Sequence, residues 1–151
     1  MILVDTCVLV DVSAGDARWA PWSAERLAQW SERGPLVINA IVFAEWCADF
    51  EHVADVNAAV MAFGLVLHEV PRDALFLASR AHLQYRRRGG TRAMVLPDFL
   101  IGAHAAVERM PVLTRDKRRF EAYFPTPTSP SAMCLCSTVP RCRSNRVSAS
   151  A

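Results

Sequence analysis

No apolar run in this chain is long enough to span a bilayer. Its hydrophobic stretches are broken by charge well short of the roughly 18 residues such a span needs. The first residues, MILVDTCVLVD, are apolar but carry Asp5 and Asp11, and they lack the basic leader of a secretory signal. These absences predict a soluble, cytoplasmic protein. A disulfide framework is missing as well. Five cysteines are an odd number in a chain without a signal, and Cys7 and Cys47 lie far apart in apolar stretches, as reduced thiols do. Cys134, Cys136 and Cys142 crowd together without a fourth ligand, whereas a closed structural zinc site wants four. Nor is there a broad basic surface. Residues 1–126 hold 14 Lys/Arg against 15 Asp/Glu, net −1, and residues 127–151 hold three Arg and no acid, net +3. Nucleic-acid contact therefore has to come from local clusters. Two exist, Arg86–Arg88 with Arg92, and Arg115 with Lys117, Arg118 and Arg119.

What is present suits one domain of ordinary size: 151 residues, 52% hydrophobic and 21% charged. Short apolar segments alternate with helical ones. Residues 2–5 (ILVD), 36–38 (LVI), 65–70 (LVLHEV) and 111–114 (PVLT) are predicted strands. Helices are predicted over 23–33, with Ser23 as N-cap and Gly34 as stop, and from Asn39 as N-cap through AIVFAEWCADF. Further helices are predicted over 53–63, from Pro71 to about Arg88, from Pro97 through PDFLIGAHAAVERM, and over KRRFEAYF. This alternation predicts an α/β fold with a short parallel sheet of four to five strands covered on both faces. From 127 onward the chain is rich in Ser, Thr and Pro and loses all periodicity. We expect a domain over 1–126 and a disordered tail over 127–151.

Most acids sit at polar helix positions. Four do not: Asp5 (ILVDTCVLV), Glu45 (AIVFAEW), Asp98 (VLPDFLIGA) and Asp116 (VLTRDK) lie in apolar surroundings, where an ionised carboxylate needs a partner. Singly, each has another explanation. Asp5 could cap a helix, Asp98 could favour a helix dipole, and Asp116 could pair with Arg115 or Lys117. Together they suggest a site, because ligands of parallel sheets bind beyond the carboxyl ends of the strands. Asp5 and Asp116 follow strand ends, and Asp98 opens a helix. Carboxylates gathered at one edge repel unless some protonate or a cation neutralises them. All-oxygen ligation without His or Cys suits a hard ion such as Mg²⁺ or Mn²⁺, and such ions serve phosphodiester hydrolysis. Thr6 and Thr114 place hydroxyls beside Asp5 and Asp116, either as site groups or as turn hydroxyls.

At these residues the chain resembles PIN-domain ribonucleases, specifically VapC-like toxins of prokaryotic type II toxin–antitoxin pairs. The resemblance rests on MILVDTCVLVD, INAIVFAEW, LPDFLIGAHA and VLTRDKRRFEAYFP and covers residues 1–126. It implies that Asp5, Glu45, Asp98 and Asp116 are the catalytic acids and the ligands of Mg²⁺ or Mn²⁺. It implies that Thr6 and Thr114 are accessory polar positions. It also implies a PIN-like three-layer α/β/α sandwich, a homodimer, cleavage of RNA, and neutralisation by a cognate VapB-like antitoxin threaded over the acidic groove. Arg115, Lys117, Arg118 and Arg119 flank Asp116 and fit RNA phosphates, or alternatively a solvated helix start.

One departure stands out. Members of this family commonly continue after a YFP-like segment into a final short strand, but here TPTSPSAMCLC follows and is not strand-like. Its composition is that of a replaced C-terminus, such as a shifted reading frame produces. A second reading is therefore a catalytically impaired PIN-like protein that only binds antitoxin or RNA. A nuclease of structured DNA would share the metal chemistry. An aspartyl-phosphate phosphatase is disfavoured, because Cys7 stands where its second Asp would be.

Overall fold

The computed structural model describes residues 1–91, 96–116, 120 and 124. Strand β1 (Ile2–Val4) leads into helix α1 (Thr6–Ser13), and α2 (Ala20–Ser31) leads into β2 (Leu36–Ile38). Helix α3 (Ala40–Trp46) and a single 3-10 turn (Cys47–Asp49) precede α4 (Val53–Ala62) and β3 (Leu65–Leu67). The long α5 (Arg72–Arg87), α6 (Leu96–Glu108) and β4 (Val112–Leu113) follow.

The four strands pair in the order β3-β2-β1-β4, and every pairing is parallel. Ile2 lies opposite Leu36, Leu36 opposite Leu65, and Val4 opposite Leu113. Buried parallel strands need apolar side chains on both faces. The inner strands meet that demand, since all six residues of β1 and β2 are buried. At the β3 edge burial stops at Leu65, and Val66 and Leu67 are exposed. The architecture is the expected α/β/α sandwich, with four strands and six helices among the described residues.

Two apolar clusters hold the layers. The larger joins the strands to Val8, Leu9, Leu27, Val42, Trp46 and Ile101. The smaller sits where α5 meets α6, around Ala74, Ala78, Phe99, Ala103 and Phe124. Gly102 belongs to this packing. A Cβ there would lie 2.5 Å from Phe124 Cδ2 and 3.0 Å from Phe120 Cδ1, so only glycine lets these rings close on α6.

Several sequence expectations shift. Ser23 is not an N-cap: α2 begins at Ala20 with Pro21 in its first turn, and Ser23 is buried inside the helix. The third strand ends at Leu67, not at residue 70, because β2 offers only three residues to pair with. The last ladder bond runs from His68 N to Ile38 O at 2.8 Å. Asn39 does cap α3, its Oδ1 accepting from Ile41 N at 3.1 Å and Val42 N at 3.0 Å. Residues 92–95, 117–119, 121–123 and 125–151 lie outside the described residues, and with them Arg92 of the first basic cluster, most of the helix expected over KRRFEAYF and the tail expected to be disordered from 127.

Candidate active site

Each parallel strand delivers its next residue to the same sheet edge, so the strand order sets the order of the side chains there. That row reads His68, Asn39, Asp5 and Thr114, following β3, β2, β1 and β4. Asp5 and Thr114 are neighbours because Val4 pairs with Leu113, and Asp5 N donates to Leu113 O at 3.0 Å.

The Thr114 hydroxyl donates to Asp5 Oδ2 at 2.7 Å and accepts from Asp116 N at 3.0 Å. Thr114 is buried, and its hydroxyl sets Asp5 and the Asp116 backbone relative to each other, with Cys7 Sγ a third neighbour at 3.8 Å. Cys7, one step into α1, donates from Sγ to the same Asp5 oxygen at 3.1 Å. Burial first, then the Asp5 charge, push the Cys7 thiol up to about 12. It therefore stands beside Asp5 as a neutral donor. Both Cys7 and Cys47 are free thiols, half-buried.

Glu45 is exposed on α3, contrary to the apolar setting its sequence neighbours suggest. Ala40 and Ala44 are exposed beside it, while Val42 and Trp46 face the core. Thr6 Oγ1 donates to Glu45 Oε2 at 2.5 Å, which links α1 to α3. The two threonines therefore have parallel roles, each holding one carboxylate of the neighbouring element. Asp98 lies in the first turn of α6 and is half-buried.

Arg115 pairs with an acid of α1. Its Nε lies 3.0 Å from Asp11 Oδ2, and its guanidinium carbon sits 5.0 Å from the centre of the Trp19 ring. Asp11 is only 3% exposed and also accepts from Ser23 Oγ at 2.7 Å. Burial raises the Asp11 carboxyl above its usual range, against the opposing pull of Ser23 and then Arg115. Asp11 is thus the buried acid that the sequence reading passed over, and the signal was there: VLVDVS flanks it with valines. Lys117, Arg118 and Arg119 lie outside the described residues.

The donor set is chemically suited to a hard divalent cation. Asp5, Glu45, Asp98 and Asp116 offer only carboxylate oxygen, with threonine hydroxyls behind two of them. Among the described residues, no group of three or more His, Cys, Asp or Glu is arranged to hold a metal ion. Mg²⁺ takes one or two carboxylates directly and keeps several waters, so it does not require three packed together.

The fold is shared with solved toxin–antitoxin structures. VapBC2 from Rickettsia felis bound to a DNA fragment from their promoter matches with TM-score 0.61 and 16% identity over 83% of this chain and 95% of that one. A toxin–antitoxin complex from Klebsiella pneumoniae matches with TM-score 0.56 and 19% identity over 89% and 97%. FitAcB from Neisseria gonorrhoeae matches with TM-score 0.53 and 20% identity over 82% and 93%. No match is found among curated proteins. No helix among the described residues is long and apolar enough to cross a membrane. The PIN domain model matches residues 2–124, most of the chain, and the chain belongs to the PIN-domain family.

Proposed function

We propose that this protein is a divalent-metal-dependent endoribonuclease that acts as a toxin in the cytoplasm and is neutralised by a VapB-like antitoxin. The observation that carries the reading is the Thr114 hydroxyl tying Asp5 to Asp116 at the carboxyl end of the sheet, within a PIN-domain chain. The toxin–antitoxin solved structures that share the fold support the toxin assignment and the antitoxin partner. In this reading Asp5, Asp98 and Asp116 would hold Mg²⁺ or Mn²⁺, which when bound would offset charge at the scissile phosphate and lower the pKa of a coordinated water. Thr114 and Cys7 fix Asp5 so that its carboxylate needs no reorientation. Glu45, steadied by Thr6, orients the attacking water on the exposed side. Lys117, Arg118 and Arg119 receive RNA phosphates, whereas Arg115 braces the loop that carries Asp116. Exposed apolar residues of α4, β3 and α5, among them Met61, Leu67 and Phe76, suit a homodimer contact.

Incubation of purified protein with total RNA in Mg²⁺, Mn²⁺ or EDTA tests the reading, with Asp98→Asn as control. The expected result is cleavage with either ion, lost in EDTA and in the variant. Cleavage that persists in EDTA or in Asp98→Asn would overturn it.

A further inference from the structure

A buried polar bond joins the two helices that carry Glu45 and Asp98. Asn39 Nδ2 lies 3.2 Å from His104 Nδ1, and Asn39 and His104 are both 0% exposed. The Asn39 oxygen is already committed to capping α3 through Ile41 N and Val42 N. Its amide nitrogen can therefore only donate to His104, so Nδ1 must present its lone pair and the ring proton sits on Nε2. Nε2 has no hydrogen-bond partner among the described residues, and the His68 ring lies 5.3 Å away, centre to centre. Among the described residues, the one hydrogen bond His104 makes is thus with the capping residue of α3.

The spacing gives this contact its leverage. Glu45 lies six residues beyond Asn39 in α3, and Asp98 lies six residues before His104 in α6. Each acid stands about 9 Å along a helix axis from the bond. Helices are rigid over that length, so a shift at the bond moves both carboxylates.

We propose that Asn39 and His104 are positioning residues, whose buried bond sets the separation of Glu45 and Asp98 and thereby the affinity of the carboxylate site for a divalent cation. The inference rests on the metal-nuclease reading above but concerns residues that touch neither ion nor RNA. Burial, and then the neighbouring His68, hold the His104 ring below its ordinary range, in keeping with a neutral acceptor.

Mn²⁺ binding to the full chain, measured by electron paramagnetic resonance, tests it beside RNA cleavage in the same samples. His104→Leu keeps the bulk and removes the acceptor. Asn39→Ser keeps a helix cap and cannot reach His104. His104→Gln retains a side-chain acceptor. We expect the Mn²⁺ dissociation constant to rise about tenfold in His104→Leu and Asn39→Ser and to return to within about twofold of the parent in His104→Gln. Nitrogen NMR of the parent should show His104 protonated on Nε2. Unchanged Mn²⁺ affinity in both loss variants, or a proton on Nδ1, would overturn the inference. Loss in all three variants alike would also overturn it, since rescue by an acceptor distinguishes positioning from simple packing. A parent that binds Mn²⁺ without cutting RNA would sink the nuclease reading and leave the binding comparison to decide this one. A parent that binds no Mn²⁺ would overturn both.

Discussion

Thr114 and Asp5, 109 positions apart in sequence, share a hydrogen bond of 2.7 Å because their strands are parallel neighbours and each residue is the first beyond its strand. Replacing Thr114 by Val keeps the shape and removes the hydroxyl from between Asp5 and Asp116 N. We expect about 1–3 kcal/mol of lost stability from the groups left unsatisfied, and at least a tenfold loss of metal-dependent cleavage. Chemical denaturation and a cleavage time course check the two parts. Unchanged cleavage by Thr114→Val would show that Asp5 needs no such support.

Arg115 and Asp11 form a second long-range pair, and it concerns stability. Asp11 is buried, and Ser23 and Arg115 offset the cost of its charge. Arg115→Met keeps packing against Trp19 but removes the cation. We expect about 2 kcal/mol of destabilisation, discounted from the value for a fully buried pair because Arg115 is partly exposed. The double variant with Asp11→Asn should recover most of it, and a thermodynamic cycle over the four proteins would show this.

Gly102 gives a packing prediction. A methyl group at this position meets the Phe124 ring at 2.5 Å and the Phe120 ring at 3.0 Å. Gly102→Ala should cost about 1–3 kcal/mol through overpacking, despite the helical preference for alanine. A melting curve showing equal or greater stability would contradict the close approach.

The buried histidine gives a pH dependence. His104 has its proton affinity lowered from the ordinary value of 6.5, chiefly by burial and next by His68, with Glu108 opposing. The unfolded chain therefore binds the proton more readily. The neutral ring's contribution is complete above about pH 6.5 and is lost as pH falls through the lowered folded value. Protonation would also set an N–H on Nδ1 against the Asn39 amide. Urea unfolding across pH 5–7 should show stability falling with pH in the parent and a flatter profile in His104→Gln.

Much of the fold was legible because Pro, Gly and Asn punctuate it. Asn39 announced α3, Pro71 announced α5, and LVI at 36–38 could only be a buried strand. Strand pairing was less legible. LVLHEV has apolar character to residue 70, but β2 gives it three partners and pairing stops. Burial of single acids was the weakest point. Glu45 has apolar sequence neighbours and still faces out, because α3 turns Val42 and Trp46 inward. Asp11 has the same kind of neighbours and faces in, because Ser23 and Arg115 arrive from other elements to receive it. The Asn39–His104 bond spans 65 positions, and no local pattern encodes it.

Cleavage of total RNA by the parent protein, beside Asp98→Asn, is the most direct test of the central claim. Cutting in Mg²⁺ or Mn²⁺ that disappears in EDTA and in Asp98→Asn, with both proteins equally folded, is the result predicted. Folded parent protein that binds Mn²⁺ and leaves RNA intact would contradict it.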